Sequence, residues 1–201
     1  MSLREQKKLR ARRAILNAAD ALITTKGYAQ SSMRDIAEAA QMSYQTVYNY
    51  FPSKALILQA LFTRDVETAS IEMDALINQY SGDLITTLNQ INEAKMNVVD
   101  GKDRSLWREV CIELFRQKED QSSIYQLVPI AHAQLQTVLR KAQGMGHMKV
   151  DVDVELMAHT MFSLSEFAFV EFVMDPNVTR DAVIQMLQDQ TELLLAPYLS
   201  S

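Results

Sequence analysis

The sequence predicts an all-α fold of about nine helices, with a short three-helix head and a longer helical body. Three observations carry that prediction. Glycine and proline are scarce, five and four in 201 residues, which argues against a loop-rich β fold. Apolar residues recur every three or four positions rather than in alternation. The few breakers (Gly27, Pro52, Ser81-Gly82-Asp83, Gly101, Gly144-Met145-Gly146 and Asp175-Pro176-Asn177) fall between those periodic runs.

The elements follow in order. Residues 4–26 place Leu9, Ile15, Ala19, Leu22 and Ile23 on one stripe, with arginines elsewhere. A short helix over 33–40 opens after Ser32, with Asp35 at its third position as a capping partner. Another runs over 44–50 behind Ser43. Residues 53–80 read as one long helix through Leu56, Leu58, Leu61, Phe62, Val66, Ile71 and Leu76. Further helices are expected at 83–99, 103–118, 122–143, 151–174 and 178–196, with Pro129 kinking or restarting the 122–143 segment. No strand, repeat or low-complexity tract is evident.

Composition narrows the function. Apolar residues make up 48% and charged residues 22%, a globular profile. One cysteine, Cys111, excludes an internal disulfide framework and a cysteine-based zinc site. Its apolar helix suggests a structural role. No unbroken apolar run reaches about 18 residues, so no membrane span is expected. The opening MSLREQKKLRARR has no apolar core and does not read as a signal peptide, so a cytoplasmic location is expected. The net charge of −5 hides an asymmetry. Residues 1–54 hold nine basic and four acidic residues, whereas the remainder holds 11 basic and 21 acidic. A basic head on an acidic body suits a polyanionic partner, although a solvated basic helix end produces the same count.

Residues 32–54, SMRDIAEAAQMSYQTVYNYFPSK, carry the strongest motif. Two short helices joined by Gln41-Met42-Ser43 have the spacing of a helix-turn-helix. Ile36, Ala37, Ala40, Val47 and Phe51 supply the small and apolar contacts between them. Tyr44, Gln45, Thr46, Tyr48, Asn49 and Tyr50 are left over on the second helix. Hydrogen-bonding and aromatic side chains on so short a helix suit the major groove of DNA.

The pattern Ser32-x-x-x-Ile36-Ala37, then Ser43-x-x-Thr46-Val47-Tyr48-x-Tyr50-Phe51-x-x-Lys54, resembles the tetracycline-repressor (TetR) family of bacterial transcription regulators. Ile15, Ala18-Ala19, Leu22-Ile23 and Gly27-Tyr28 match that family's first helix and turn, so the motif resemblance covers about residues 9–60. One departure is Ala40-Gln41-Met42, where the family usually has a glycine. Gln41 must then adopt a left-handed or near-bridge conformation.

The resemblance implies a helix-turn-helix DNA-binding domain over 1–54 and an effector-binding and dimerisation domain over 55–201. It implies base contacts from Arg34, Tyr44, Gln45 and Thr46, with Tyr48 reaching a thymine methyl or a phosphate. Asn49, Tyr50, Lys54 and Ser32 would meet phosphates, though capping alone explains Ser32 and Ser43. Lys7, Lys8, Arg10, Arg12 and Arg13 would track the backbone or enter the minor groove.

Residues 151–174 are apolar nearly all round, and residues 183–199 add Val183, Met186, Leu187, Leu193, Leu194, Leu195 and Leu199. Such helices need cover on several sides, and the resemblance implies a homodimer through both. Trp107, Phe115, Tyr125, Met161, Phe162 and Phe169 are candidate lining for an apolar effector site, with core packing as the alternative for each. Glu166 interrupts the apolar stretch and suits a cationic group or a hydroxyl, if it does not face solvent or a partner.

Enzyme signatures are missing from the pattern. Glu155 and His159 are four residues apart on one helix face, but the paired Glu-x-x-His of di-iron bundles is not found. Asp151-x-Asp153 lacks the rest of a calcium loop. No glycine-rich phosphate loop or nucleophile elbow is seen. The leading expectation is a dimeric, ligand-responsive repressor on a near-palindromic operator, without a cofactor or a metal. The alternatives are a DNA-binding architectural or cell-division regulator lacking an effector, a helical-bundle enzyme, and a membrane-surface protein.

Overall fold

The computed structural model describes residues 2–99, 104–116 and 128–200, with side chains described at all of these except 113–116 and 128. The described residues form nine α-helices and one 3-10 turn: α1 (Leu3–Lys26), α2 (Met33–Ala39), α3 (Tyr44–Tyr50), α4 (Lys54–Gln79), α5 (Leu84–Asn97), α6 (Arg104–Arg116), α7 (Val128–Gly144), α8 (Val154–Met174), α9 (Arg180–Leu195) and the turn Ala196–Tyr198. They fall into two compact units. One takes in Met1–Arg64 with Gly101–Ser123, the other Asp65–Asp100 with Ile124–Ser201.

The first unit is built around the helix-turn-helix. Ser2 caps α1 with Glu5 in a reciprocal capping box, and Gly27 (φ 86°) ends the helix by donating its N–H to Ile23 O. Ser32 and Asp35 cap α2 in the same reciprocal way, as the sequence predicts. Ser43 caps α3 by accepting from Thr46 N. Between α2 and α3, Gln41 takes φ 55°, the left-handed conformation that the missing glycine demands. Its N–H donates to Glu38 O, and Met42 N–H donates to Ala37 O, both at 2.9 Å. The helices cross on Ile36, Ala37, Val47 and Phe51, all buried, with Ile36 and Val47 at 0% exposure. Ile36, Val47 and Phe51 each contribute about 1.5–3 kcal/mol of burial.

Three positions depart from the predicted stripes, the mildest being Leu56 of α4 at 36% exposure. Leu9 does not share the α1 stripe: it is 54% exposed, and burial along α1 starts at Ile15. Periodicity identifies an apolar face but not whether a partner covers it. Ile71, read as part of the α4 stripe, is 71% exposed. The buried side of the second half of α4 is instead Ala69, Met73 and Ile77.

In the second unit α5 packs on α9, α7 on α8, and α8 on α9. Its core includes Leu88, Ile91, Val138, Leu139, Ala158 and Leu195. The expected 122–143 helix begins at Val128 within the described residues, and residues 122–127 lie outside them. Pro129 is the second described residue of α7. Tyr80 Oη meets His147 Nδ1 at 2.9 Å. The C-terminal end is tied down by Lys149 N–H to Tyr198 O and Ser200 N–H to His147 O.

Helix α8 bears on the expectation of no membrane span without overturning it. Taken as a helix of 21 residues, it is long and apolar enough to cross a bilayer by length and composition alone. Glu155, Glu166 and Glu171 interrupt the apolar letters but are too few to lower the average. Here it packs on α7 and α9.

Candidate nucleic-acid interface

The seven residues of α3 divide by face. Val47 turns into the core at 0% exposure. Tyr44 and Tyr48, one helical turn apart, stack with ring centroids 6.2 Å apart and remain 46% and 44% exposed. Gln45 sits beside them and donates its Nε2 to Asn49 Oδ1 at 3.0 Å. Thr46, Asn49 and Tyr50 share the remaining face and form one wall of an open groove of about 850 Å³. The opposite wall is α1: Leu3, Arg4, Lys7, Lys8 and Arg12. Arg12 is held there with its guanidinium carbon 4.6 Å from the Phe51 ring centroid, a cation–π contact that keeps the charge in place.

Several predicted contacts already have internal partners. The Ser32 hydroxyl donates to Asp35 Oδ2 at 2.8 Å and accepts from Asp35 N–H at 3.2 Å. The hydroxyl's donation, with the Ser32 N–H and the Lys26 ammonium, holds the Asp35 carboxyl down from 3.8 to about 2. Thr46 Oγ1 and Ser43 Oγ lie 2.8 Å apart. The Lys54 ammonium donates to Tyr28 O at 2.7 Å and Ser31 O at 2.9 Å, and lies 4.0 Å from the Tyr28 ring centroid. Burial lowers its pKa, with Glu109 opposing. Two of its three donors thus close the turn between α1 and α2, leaving one for a phosphate. Arg34 is exposed on α2.

The residues predicted to line an effector site fall in both units. Trp107 is in the first unit, 2% exposed and edge-on to Phe62 with centroids 5.0 Å apart. The Phe115 side chain and Tyr125 lie outside the described residues. Met161, Phe162, Glu166 and Phe169 are all on α8, in the second unit. Met161 lines a small interior cavity of about 20 Å³ with Asn92, Leu135, Leu164, Ser165, Leu187, Gln190, Thr191 and Leu194. That is room for about one water. Phe169 is buried core.

Glu166 does meet a cation. The Lys95 ammonium of α5 contacts it, donates to Ser165 Oγ at 2.9 Å and lies 5.5 Å from the Phe162 ring centroid. Burial lowers the Lys95 pKa, and Glu166 pulls it back up. The sequence signal for Lys95 was its place, three residues after Asn92, among the apolar residues of α5. The signal for the groove was the phase of the α1 cations. At 100° per residue, Arg4, Lys7, Lys8 and Arg12 fall within one 140° arc, Arg13 falls opposite it, and Arg10 lies about 60° beyond Lys7.

A capped two-helix motif with an exposed polar and aromatic second helix, beside a basic groove, defines a helix-turn-helix protein. Residues 15–61 match the model for bacterial regulatory proteins of the tetR family. The chain is similar to the transcriptional repressor KstR of Rhodococcus jostii (strain RHA1), 41% identical over 56 residues, which are 28% of this chain and 26% of that protein. It is also similar to the transcriptional regulator EthR of Mycolicibacterium smegmatis, 36% identical over 70 residues, 35% of this chain and 32% of that one. These matches span about a quarter to a third of the relatives' length. The fold likeness extends further. A TetR-family transcriptional regulator from Pectobacterium atrosepticum superposes with a TM-score of 0.79 at 16% identity, covering 100% of this chain and 99% of that one. FadR from Bacillus subtilis, solved with stearoyl-CoA, superposes with a TM-score of 0.70 at 23% identity over 92% and 97%. Residues 15–61 are thus similar to the tetR-family segment, and the chain as a whole has the fold of these solved regulators.

Proposed function

We propose that this protein is a sequence-specific DNA-binding transcriptional regulator, a ligand-responsive repressor that binds a near-palindromic operator as a homodimer in the cytoplasm. The observation that carries the reading is α3, a capped seven-residue helix that buries only Val47. A surface helix this short gains nothing in folding from so many outward hydrogen-bonding groups. Arg34, Tyr44, Gln45 and Thr46 are proposed at base edges, and Tyr48 at a thymine methyl or a phosphate. Ser32, Asn49, Tyr50 and Lys54 are proposed at or near phosphates. Residues 1–54 serve DNA and residues 55–201 serve effector binding and dimerisation.

Exposed apolar side chains support the dimer. Leu156, Phe167 and Met174 on α8 and Leu193 on α9 are 50–77% exposed, a surface that water disfavours and a second copy covers. A twofold then asks for two half-sites in successive major grooves. Effector binding near Met161, Phe162, Glu166 and Phe169 would favour dimers whose recognition helices are wrongly spaced. A coupling of about 1–3 kcal/mol suffices. The stearoyl-CoA in the B. subtilis FadR structure makes acylated, largely apolar compounds the first effectors to try.

Selection from a randomised duplex pool tests the reading, using wild type and Gln45→Ala/Thr46→Ala. Enrichment of a near-palindromic site by wild type, lost in the variant, is expected. Release of that site by an acyl compound would establish the effector arm. Enrichment of nothing by wild type overturns the proposal.

A further inference from the structure

The geometry points to a small-molecule site between the second half of α4 and α7, one that takes a primary ammonium ion carrying an apolar body. This goes beyond the regulator reading and does not depend on it. None of the lining residues is on α8, where the proposed effector contacts lie.

Helical phase builds the pocket. Asp74 and Ile77 lie on α4 at i and i+3. Ile130, Ala133, Gln134 and Thr137 lie on α7 at i, i+3, i+4 and i+7. Each set is one face of its helix. Together they line an open pocket of about 420 Å³, within the second unit. Ligand pockets run from about 300 to 1,000 Å³.

Two observations say what the pocket takes. The first is an orphaned acceptor. Gln134 is only 7% exposed. Its Nε2 is satisfied, donating to Ser70 O at 2.9 Å, Ser70 Oγ at 3.0 Å and Asp74 Oδ1 at 2.7 Å. Its Oε1 is shielded from water and has no hydrogen-bond partner among the described residues. A buried amide oxygen left unpaired costs free energy that a donor recovers. Ser70 and Asp74 occupy the Nε2 side, so the pocket is the side from which a donor reaches Oε1.

The second is an unbalanced charge. Asp74 is the one charged side chain among the described lining residues. Its hydrogen-bond partner there is the neutral Gln134 amide. Lys141, one turn beyond Thr137, is engaged elsewhere: it donates to Ile77 O at 2.8 Å and Asn78 O at 3.4 Å. An acceptor without a donor, beside a carboxylate without a cation, asks for a group with charge and donors but no acceptor. Ammonium is that group. An anionic ligand would meet Asp74 with like charge, and a hydroxyl would serve Gln134 but leave Asp74 unpaired. Ile77, Ala133 and the 46% exposed Ile130 supply the apolar wall. The rise from Ile130 to Thr137 is about 10 Å, the length of a chain of about eight carbons.

The test is an NMR titration of the full chain, labelled at isoleucine δ1 and methionine ε methyls, with n-octylamine at neutral pH. 1-Octanol, octanoate and octyltrimethylammonium keep the body and change the head. n-Octylamine is expected to shift Ile77 and Ile130 with one-to-one stoichiometry and to leave Met161 of α8 unmoved. 1-Octanol and octyltrimethylammonium are expected to bind at least about tenfold more weakly, the second because it has charge without N–H donors. Octanoate is expected not to bind. Asp74→Asn should weaken n-octylamine by at least about tenfold and leave 1-octanol unchanged, a split that a folding defect would not produce. Ala133→Phe, a change at an exposed position, should fill the pocket and abolish binding of all the probes. Equal affinity for the four heads, unchanged n-octylamine affinity in Asp74→Asn, or shifts at Met161 without Ile130 overturns the inference. So does the absence of any shift at millimolar amine. A randomised duplex pool from which wild type selects nothing sinks the regulator reading and leaves this site standing.

Discussion

Helices α3 and α8 both leave large side chains in water, but of opposite kinds. Helix α3 exposes Tyr44 and Tyr48 amid Gln45 and Asn49. Helix α8 exposes Leu156, Phe167 and Met174. The first surface is amphipathic and suits a wet, charged partner such as a base-pair edge. The second gains free energy only by leaving water. Exposure alone therefore says little, and the chemistry of what is exposed separates the proposed DNA-reading surface from the proposed self-association surface.

Three changes bear on that contrast. The largest effect is expected from Phe167→Glu/Leu193→Glu. Charges there should drive the proposed dimer to monomer at micromolar concentrations in sedimentation equilibrium, and weaken binding to a palindromic site at least 100-fold while half-site binding survives. A variant that stays dimeric would place the contact elsewhere. A smaller effect is expected at the turn ahead of α3. Gln41→Gly relieves a left-handed residue with a Cβ and should stabilise the head by up to about 1 kcal/mol, read as a rise in thermal midpoint. An unchanged or lower midpoint would mean that the entropy gained by the unfolded chain outweighs the relief. The smallest effect is the acid response of the α2 cap. Asp35 has a lowered pKa, so its contribution to stability is present above about 3.8 and lost as pH falls through about 2. Carbon-detected NMR of its carboxyl should titrate near 2, and Ser32→Ala should bring that midpoint up toward 3.8. A wild-type midpoint already near 3.8 would remove the cap from the account.

Local features of the chain were legible where one or two residues decide the geometry. Ser32 with Asp35, Ser43, and the left-handed Gln41 are set by contacts within a few residues, so spacing is enough to read them. The buried contacts Ile36, Val47 and Phe51 followed from a motif of fixed size. Leu9 and Ile71 were misplaced because a stripe does not reveal where its cover ends. The α1–α3 groove was invisible because it needs residues about 40 apart to face each other, although the phase of the cations was present. Lys95 escaped notice for the same reason: its partners Ser165 and Glu166 lie 70 and 71 residues away. Membership of α6 in the first unit with α1–α3 is likewise a long-range fact, and it places Trp107 beside Phe62.

The lone thiol has a practical consequence. Cys111 is the only cysteine in the chain and is 8% exposed. A cysteine introduced at an exposed position such as Glu38 would therefore take a spin label or fluorophore almost without background. In a twofold assembly, one such label per chain yields a single inter-label distance, and that distance is a direct ruler for the separation of the two heads as ligands are added.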